Sequence, residues 1–106
     1  MRNQFALIVF SIVTFSVILV TASQKDSYVP PKGFVPDEKT AIRIAEAVWS
    51  PIYGEDKIQS EKPFVASLKS GVWTVHGSLP NGFVGGVAIA EISRSDGRIL
   101  RVSHGK

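Results

Sequence analysis

The side chains best suited to acid–base or metal chemistry are His76 and His104. The sequence sets them 28 residues apart on separate expected strands, with no acidic residue beside either at ligand spacing. Zinc takes three or four ligands, often paired at short spacing, so both histidines read as surface or edge residues. There is no cysteine. That removes thiolate catalysis, disulfides, cysteine metal sites and a lipoprotein anchor. A serine–histidine–acid triad is recognised by geometry and could be assembled from scattered parts. No serine here lies in a nucleophile-elbow pattern, however, and Ser67, Ser78, Ser93 and Ser103 read as strand-face residues. No catalytic residue, metal ligand or cofactor is assigned.

Gly82-Phe83-Val84-Gly85-Gly86 is glycine-rich. A phosphate loop needs a following helix whose free amides hold the anion, and a Walker loop also needs Lys-Ser/Thr. A strand follows here, so the segment reads as a bend or bulge. Its functional alternative is a contact loop at Gly85 and Gly86 that lets another backbone approach. Trp49 and Trp73 read as core anchors. The alternation of the strands collects Ser67, Thr74, His76 and Ser78 on one sheet face. Glu91 and Arg101 join them if the third and fourth strands turn their polar sides outward. Such a face is either a solvated surface or a protein-docking face on which charge selects the partner.

The elements that position these residues follow from periodicity. Asp37 follows Pro36 and is placed to cap a helix, with Glu38 favoured by the helix dipole. Ala41, Ile42, Ala45, Val48, Trp49 and Ile52 recur at spacings of three and four and form one apolar stripe. Lys39, Arg43 and Glu46 fall largely opposite. Pro51 predicts a kink or stop, with Tyr53-Gly54 closing the helix and Gly54 as its left-handed C′ residue. After it, Phe64–Lys69, Val72–Leu79, Val87–Ser93 and Ile99–His104 alternate with the period of strands. Ser70-Gly71 and Asp96-Gly97 supply turns, the latter read as a two-residue hairpin. The architecture expected is α+β, one N-terminal helix packed on a four-stranded antiparallel meander.

The chain has 106 residues, room for one domain. Phe5–Val20 carries no charge and follows Arg2, and the run ends in Val-Thr-Ala-Ser. That is the order of a secretory signal over residues 1–23, with cleavage after Ala22 or Ser23. The alternative is an uncleaved inner-membrane anchor, since the run of 16 residues, or 18 with Thr21 and Ala22, approaches the roughly 20 that a span requires. Either way the domain is expected in the periplasm, touching the membrane only if the segment stays on. Residues 24–36 contain Pro30, Pro31, Gly33 and Pro36 and read as an extended linker, leaving 37–106 as the domain. With Arg2 set aside, 11 basic side chains stand against 9 acidic ones. They are interspersed, without the basic stripe of a nucleic-acid binder.

Three stretches, VPDEKTAIRIAEAVWSPIYGED, EKPFVASLKSGVWTVHGSLP and GGVAIAEISRSDGRILRVSHGK, resemble the short bacterial immunity proteins of nuclear-transport-factor-2-like fold found with Rhs and other polymorphic toxins. Trp49-Ser50-Pro51-Ile52-Tyr53-Gly54, Gly85-Gly86 and the stretch from Asp96-Gly97 to His104-Gly105 are its most specific parts. The resemblance implies a neutraliser that binds a cognate toxin, the C-terminal domain of an Rhs or related protein, and blocks it. It brings no catalytic motif. The full fold closes a cone-shaped pocket with several helices, whereas this chain offers one, which brings it closer to a reduced, cystatin-like helix-on-sheet unit. On that reading the tentative protein-binding residues are Ser67, Thr74, His76, Glu91, Arg101, Gly85 and Gly86. An exported binding module such as an envelope protease inhibitor is the alternative. A ketosteroid-isomerase-like enzyme would need an acid in an apolar pocket, and Glu91 is the strand carboxylate that would have to face inward.

Overall fold

The computed structural model describes residues 26–81 and 85–106. The N-terminal apolar run and its cleavage positions lie outside the described residues, as do residues 82–84 of the glycine-rich loop. Among the described residues, no helix is long and apolar enough to cross a membrane.

Helix α1 spans Glu38–Tyr53. Asp37 is extended, and its carboxylate accepts the Thr40 N–H at 2.8 Å, satisfying one of the free donors of the first turn. Hydrogen bonds from Thr40, through side chain and backbone, hold the Asp37 carboxyl below the usual carboxylate range, with Lys39 and Arg43 adding to the effect. Ala41, Ala45 and Trp49 lie four apart and are fully buried, Ile42 and Val48 are half-buried, and Ile52 is 57% exposed. The buried line continues at its step of four to half-buried Tyr53 and leaves Ile52 off the stripe.

Pro51 does not stop the helix, which carries on through Tyr53. Gly54 then closes it at φ 96°, ψ 136°, a positive φ outside the left-handed helical basin. The reason is a second helix that periodicity did not anticipate. Helix α2, Glu55–Gln59, starts at once, and the Gly54 carbonyl accepts the Ile58 N–H at 3.1 Å. Ile58 is fully buried, and the Gln59 amide donates to Glu46 at 2.8 Å, tying α2 back to α1.

The four strands are β1 Val65–Lys69, β2 Val72–His76, β3 Ala88–Ser93 and β4 Ile99–His104, in the order β1-β2-β3-β4. All pairings are antiparallel, the meander expected. Ser70 and Gly71 both take positive φ, 50° and 76°, which suits the two-residue turn between Lys69 and Val72. The turn at Asp96-Gly97 is longer than the two residues expected. Ser93 N–H donates to Arg98 O at 2.9 Å, leaving residues 94–97 as the loop. The Asp96 carboxylate accepts the Arg98 N–H at 2.9 Å. That backbone bond, with a further one from the Ser93 hydroxyl, lowers its pKa.

Small residues set the distance between the layers. Ala41 and Ala45 on the helix face Ala66, Ala88 and Ala90 on the sheet, and Trp49, Trp73, Val75 and Ile92 fill what remains. Each buried indole also finds an acceptor: Trp49 Nε1–H reaches Ile89 O at 3.3 Å and Trp73 Nε1–H reaches Val35 O at 2.8 Å. The second bond explains a departure from the expected linker. Val35 is 1% exposed, and Phe34 and Val35 donate backbone hydrogen bonds to Ser95 and Arg94 at 3.0 Å. Residues 33–35 are thus seated in the domain.

Trp49→Ala is expected to cost about 3–5 kcal/mol, while Ile52→Ala stays within about 0.5 kcal/mol; urea unfolding separates them. Asp37 and Asp96 both have folded pKa values below the unfolded one, near 3.9. Their contribution is therefore complete above that value and lost as pH falls through the folded values. Unfolding curves between about pH 2 and 5 should show it, and the Asp37→Asn, Asp96→Asn double variant should flatten that stretch.

Candidate functional site

The residues singled out from the sequence fall on two surfaces. Five lie on the sheet face turned away from the helix. The register places Ser67 opposite Thr74, Thr74 opposite Glu91, and Glu91 opposite Arg101. These four therefore form one row that crosses every strand. His76 stands two positions along β2, between Val65 on β1 and Ile89 on β3. The row depends on an irregularity. Glu91 pairs with Arg101 but Ile92 pairs with Ile99, so Leu100 is an extra residue in β4. Such a bulge resets which side the following residues face, and here it brings Arg101 beside Glu91. Arg101 Nε donates to Glu91 Oε2 at 3.1 Å, and its Nη1 donates to Ser103 Oγ at 3.2 Å. With side chains 51% and 31% exposed, this ion pair adds little to stability. It does hold the guanidinium between Glu91 and Ser103 on the face. An inward Glu91, which the isomerase-like reading required, is overturned by this pair.

The other two, Gly85 and Gly86, lie away from that row, at the mouth of a cleft of about 490 Å³. The backbone that approaches Gly86 belongs to the same chain: a Cβ on Gly86 would overlap Gly105 Cα, and one on Gly105 would meet Gly86 Cα at 2.6 Å.

At the base of the cleft are two residues that the sequence reading did not bring together. Glu61 is 5% exposed. Its Oε1 accepts the Ala88 N–H at 2.7 Å and its Oε2 lies 2.8 Å from His104 Nε2. Its backbone carbonyl accepts the Ser78 N–H at 2.7 Å. His104 is not the surface histidine expected, since its side chain is 12% exposed. Its Nδ1 lies 2.8 Å or less from an oxygen as well, Gly105 O at 2.7 Å. Both ring nitrogens thus face oxygen atoms, Glu61 Oε2 and Gly105 O. Tyr53 packs against the imidazole, ring centroids 5.1 Å apart. Gly77 covers the carboxylate: a Cβ there would meet Glu61 Oε1 at 2.6 Å.

The alternation that sets Arg101 outward also sets His104 inward, so half of this pair could be read from the sequence. Glu61 carries no such signal. It sits between α2 and β1 and lies 43 residues from its partner. Among the described residues, no group of three or more His, Asp or Glu is placed to hold a metal ion. The two histidines are on opposite sides of the sheet.

Glu61→Ala leaves the Ala88 N–H and the His104 ring without their partner and should cost about 3 kcal/mol or more. Gly77→Ala drives a methyl onto the same carboxylate and should also destabilise, whereas Ser67→Ala, on the exposed face, should not. Thermal unfolding of the three variants is the check.

A family model described as "NTF2 fold immunity protein" matches residues 40–106, from the first turn of α1 through β4. Two Escherichia coli (strain K12) proteins are similar in sequence. "Uncharacterized protein YhhH" is 36% identical over 76 residues, covering 71% of this chain and 60% of that protein. "Uncharacterized protein YbbC" is 37% identical over 76 residues, covering 71% and 62%. The chain therefore spans about three fifths of the length of these relatives. No solved structure matches.

Proposed function

The chain belongs to the NTF2-fold immunity-protein family, and from that premise we propose that it neutralises a cognate bacterial toxin by binding it directly through the outer face of the sheet. The observation that carries the choice of face is the row Ser67–Thr74–Glu91–Arg101. It runs across all four strands on the side that no helix covers. Its side chains are short hydroxyls at one end and a fixed ion pair at the other. Half-buried Val72 and Ile89 lie beside it. A rigid, flat surface of this kind loses little side-chain entropy on docking, and the aliphatic residues supply area while the charges select orientation and partner.

The proposed partner is the C-terminal domain of an Rhs or other polymorphic toxin. Inhibition follows from occlusion, which requires no chemistry from the immunity protein, and immunity proteins of this family are read as non-catalytic. The N-terminal apolar run supports action in the periplasm, with the domain either released or held at the inner membrane.

The test is capture with the full chain from envelope extract of its own strain, with mass spectrometry of what is bound, followed by titration against the captured toxin domain. Arg101→Glu places an acid beside Glu91 and should weaken toxin binding at least tenfold, about 1.4 kcal/mol, with thermal stability nearly unchanged. Thr74→Arg, in the middle of the row, should do the same by steric obstruction. Retention of full affinity by both variants would remove the outer face from the interface. Capture of an envelope protease with no toxin would overturn the immunity reading in favour of an exported inhibitor.

A further inference from the structure

Among the described residues the sheet ends at two strands, β1 and β4, and the two edges are not alike. An open edge invites another strand, and proteins blunt it with bulges, prolines, inward charges or a covering segment. β4 has the bulge at Leu100 and the charge of Arg101 beside it. β1, Val65–Lys69, has no proline, pairs with β2 without a break, and carries its one charge at its last residue. Leu68 shares the inner side of the strand with buried Ala66 yet is left exposed, as is Val65 on the outer side.

The pleat decides which backbone groups this edge offers. Gly77 N–H donates to Ala88 O at 3.0 Å. Residues 77, 75 and 73 therefore turn their backbone groups to β3, and residues 76, 74 and 72 turn theirs to β1. The β1 partners of those three are Val65, Ser67 and Lys69. Ala66 and Leu68 are left with N–H and C=O pointing away from the sheet. A second β1, antiparallel and related by a two-fold axis at Ser67, matches that spacing. Ala66 then exchanges N–H···O bonds with Leu68 of the second copy, and Leu68 with its Ala66.

The side chains agree with this register. On the inner side, exposed Leu68 comes to lie beside the small Ala66 of the second copy. On the outer side, Val65 meets the methylene stem of Lys69. The two Lys69 residues fall on opposite sides of the axis, about 13 Å apart along the strand, so no like charges are opposed. Neighbouring registers are poorer. An axis at Leu68 sets Ala66 against Ser70, which is in the positive-φ turn, and an axis at Ala66 sets Leu68 against Phe64, which precedes the strand. With the axis at Ser67, the row Ser67–Thr74–Glu91–Arg101 runs on into the same row reversed.

We propose that β1 is a self-pairing edge: a second copy of this chain adds its own β1 antiparallel about Ser67 and joins the two sheets into one. The contact is isologous, the same residues serving on both sides. Pairing along one five-residue edge belongs with the small, transient interfaces, so the dimer forms and dissociates with protein concentration.

The chain has no cysteine, so a cysteine introduced at the axis reports the pairing. Ser67→Cys in the full-length chain, under mild oxidation, is expected to give a disulfide-linked dimer on a non-reducing gel. Val65→Cys and Lys69→Cys should each stay monomeric. Each lies about 13 Å from its own copy, beyond the roughly 7 Å a disulfide can span. The two combined in one chain face each other across the axis and should link again. Leu68→Lys in the Ser67→Cys background puts a charge on the inner side of the edge and should slow linking at least tenfold. Thermal unfolding checks that this variant is folded, and the comparison of positions 65, 67 and 69 does not depend on it. Equal linking at all three positions, as association through the N-terminal apolar run would give, overturns the proposal. So does absence of linking at position 67, or linking that a folded Leu68→Lys leaves unslowed. A monomeric Ser67→Cys chain whose toxin binding is weakened by Leu68→Lys would assign the edge to a toxin strand and remove the second copy. No toxin enters the cross-linking, so failure of the immunity reading leaves its result standing, and a monomeric outcome leaves outer-face docking untouched.

Discussion

A carboxylate taken out of water must find donors, and Glu61 finds them on three separate strands' ends. Its side chain takes the Ala88 N–H at the start of β3 and His104 at the end of β4, and its carbonyl takes the Ser78 N–H just past β2. Residue 61 itself leaves the end of α2, its N–H bonded to Ile58 O at 3.0 Å. One residue therefore ties the helical layer to three strands at the end of the sheet where no hairpin joins β2 to β3 closely. A buried carboxylate–imidazole contact is weak evidence of stability by itself. Its effect here is to specify: in this register of β3 against β4 both oxygens are satisfied.

The rest of the core is arranged around that anchored end. The alanines at 41, 45, 66, 88 and 90 keep α1 close to the sheet, and the two tryptophans fill the space their small neighbours leave. In a domain of this size, with no disulfide, such packing has to supply most of the stabilisation. The indole N–H groups are bonded to backbone carbonyls 40 and 38 residues away. That lets large aromatics be buried without an orphaned donor, and it is also how residues 33–35 come to be part of the domain.

What was legible in the sequence was what repeats. The cap at Asp37, the line Ala41–Ala45–Trp49, the turn at Ser70-Gly71 and the alternation that gathers Ser67, Thr74 and Glu91 are all short-range patterns, and the structure has them where periodicity put them; Arg101 joins the row through the bulge at Leu100. What was not legible was aperiodic. Helix α2 is five residues long, too short to show a face. Ile52 matches the stripe in spacing, but the buried line Ala41–Ala45–Trp49 continues at its step of four to half-buried Tyr53, which packs on His104, and leaves Ile52 exposed. Glu61 lies in a connection, where an acid reads as solvated until its partners, 27 and 43 residues away, are known. The longer loop at residues 94–97 escaped because Asp-Gly signals a turn without fixing how many residues it contains.

The separation of the two surfaces has a consequence for how such a protein can change. The outer row is held by strand register, and register is set by the inner face, where Trp73, Val75, Ala90 and Ile92 alternate with the outer residues. Substituting Ser67, Thr74, His76 or Arg101 leaves every buried contact and backbone bond in place, and surface changes of that kind usually move stability by no more than about 0.5 kcal/mol. The cleft has no such freedom. Gly77, Gly86 and Gly105 have no room for a Cβ, and Glu61 and His104 satisfy each other. A recognition surface that must track a changing partner belongs on the first of these, where residues are exchangeable without loss of the fold.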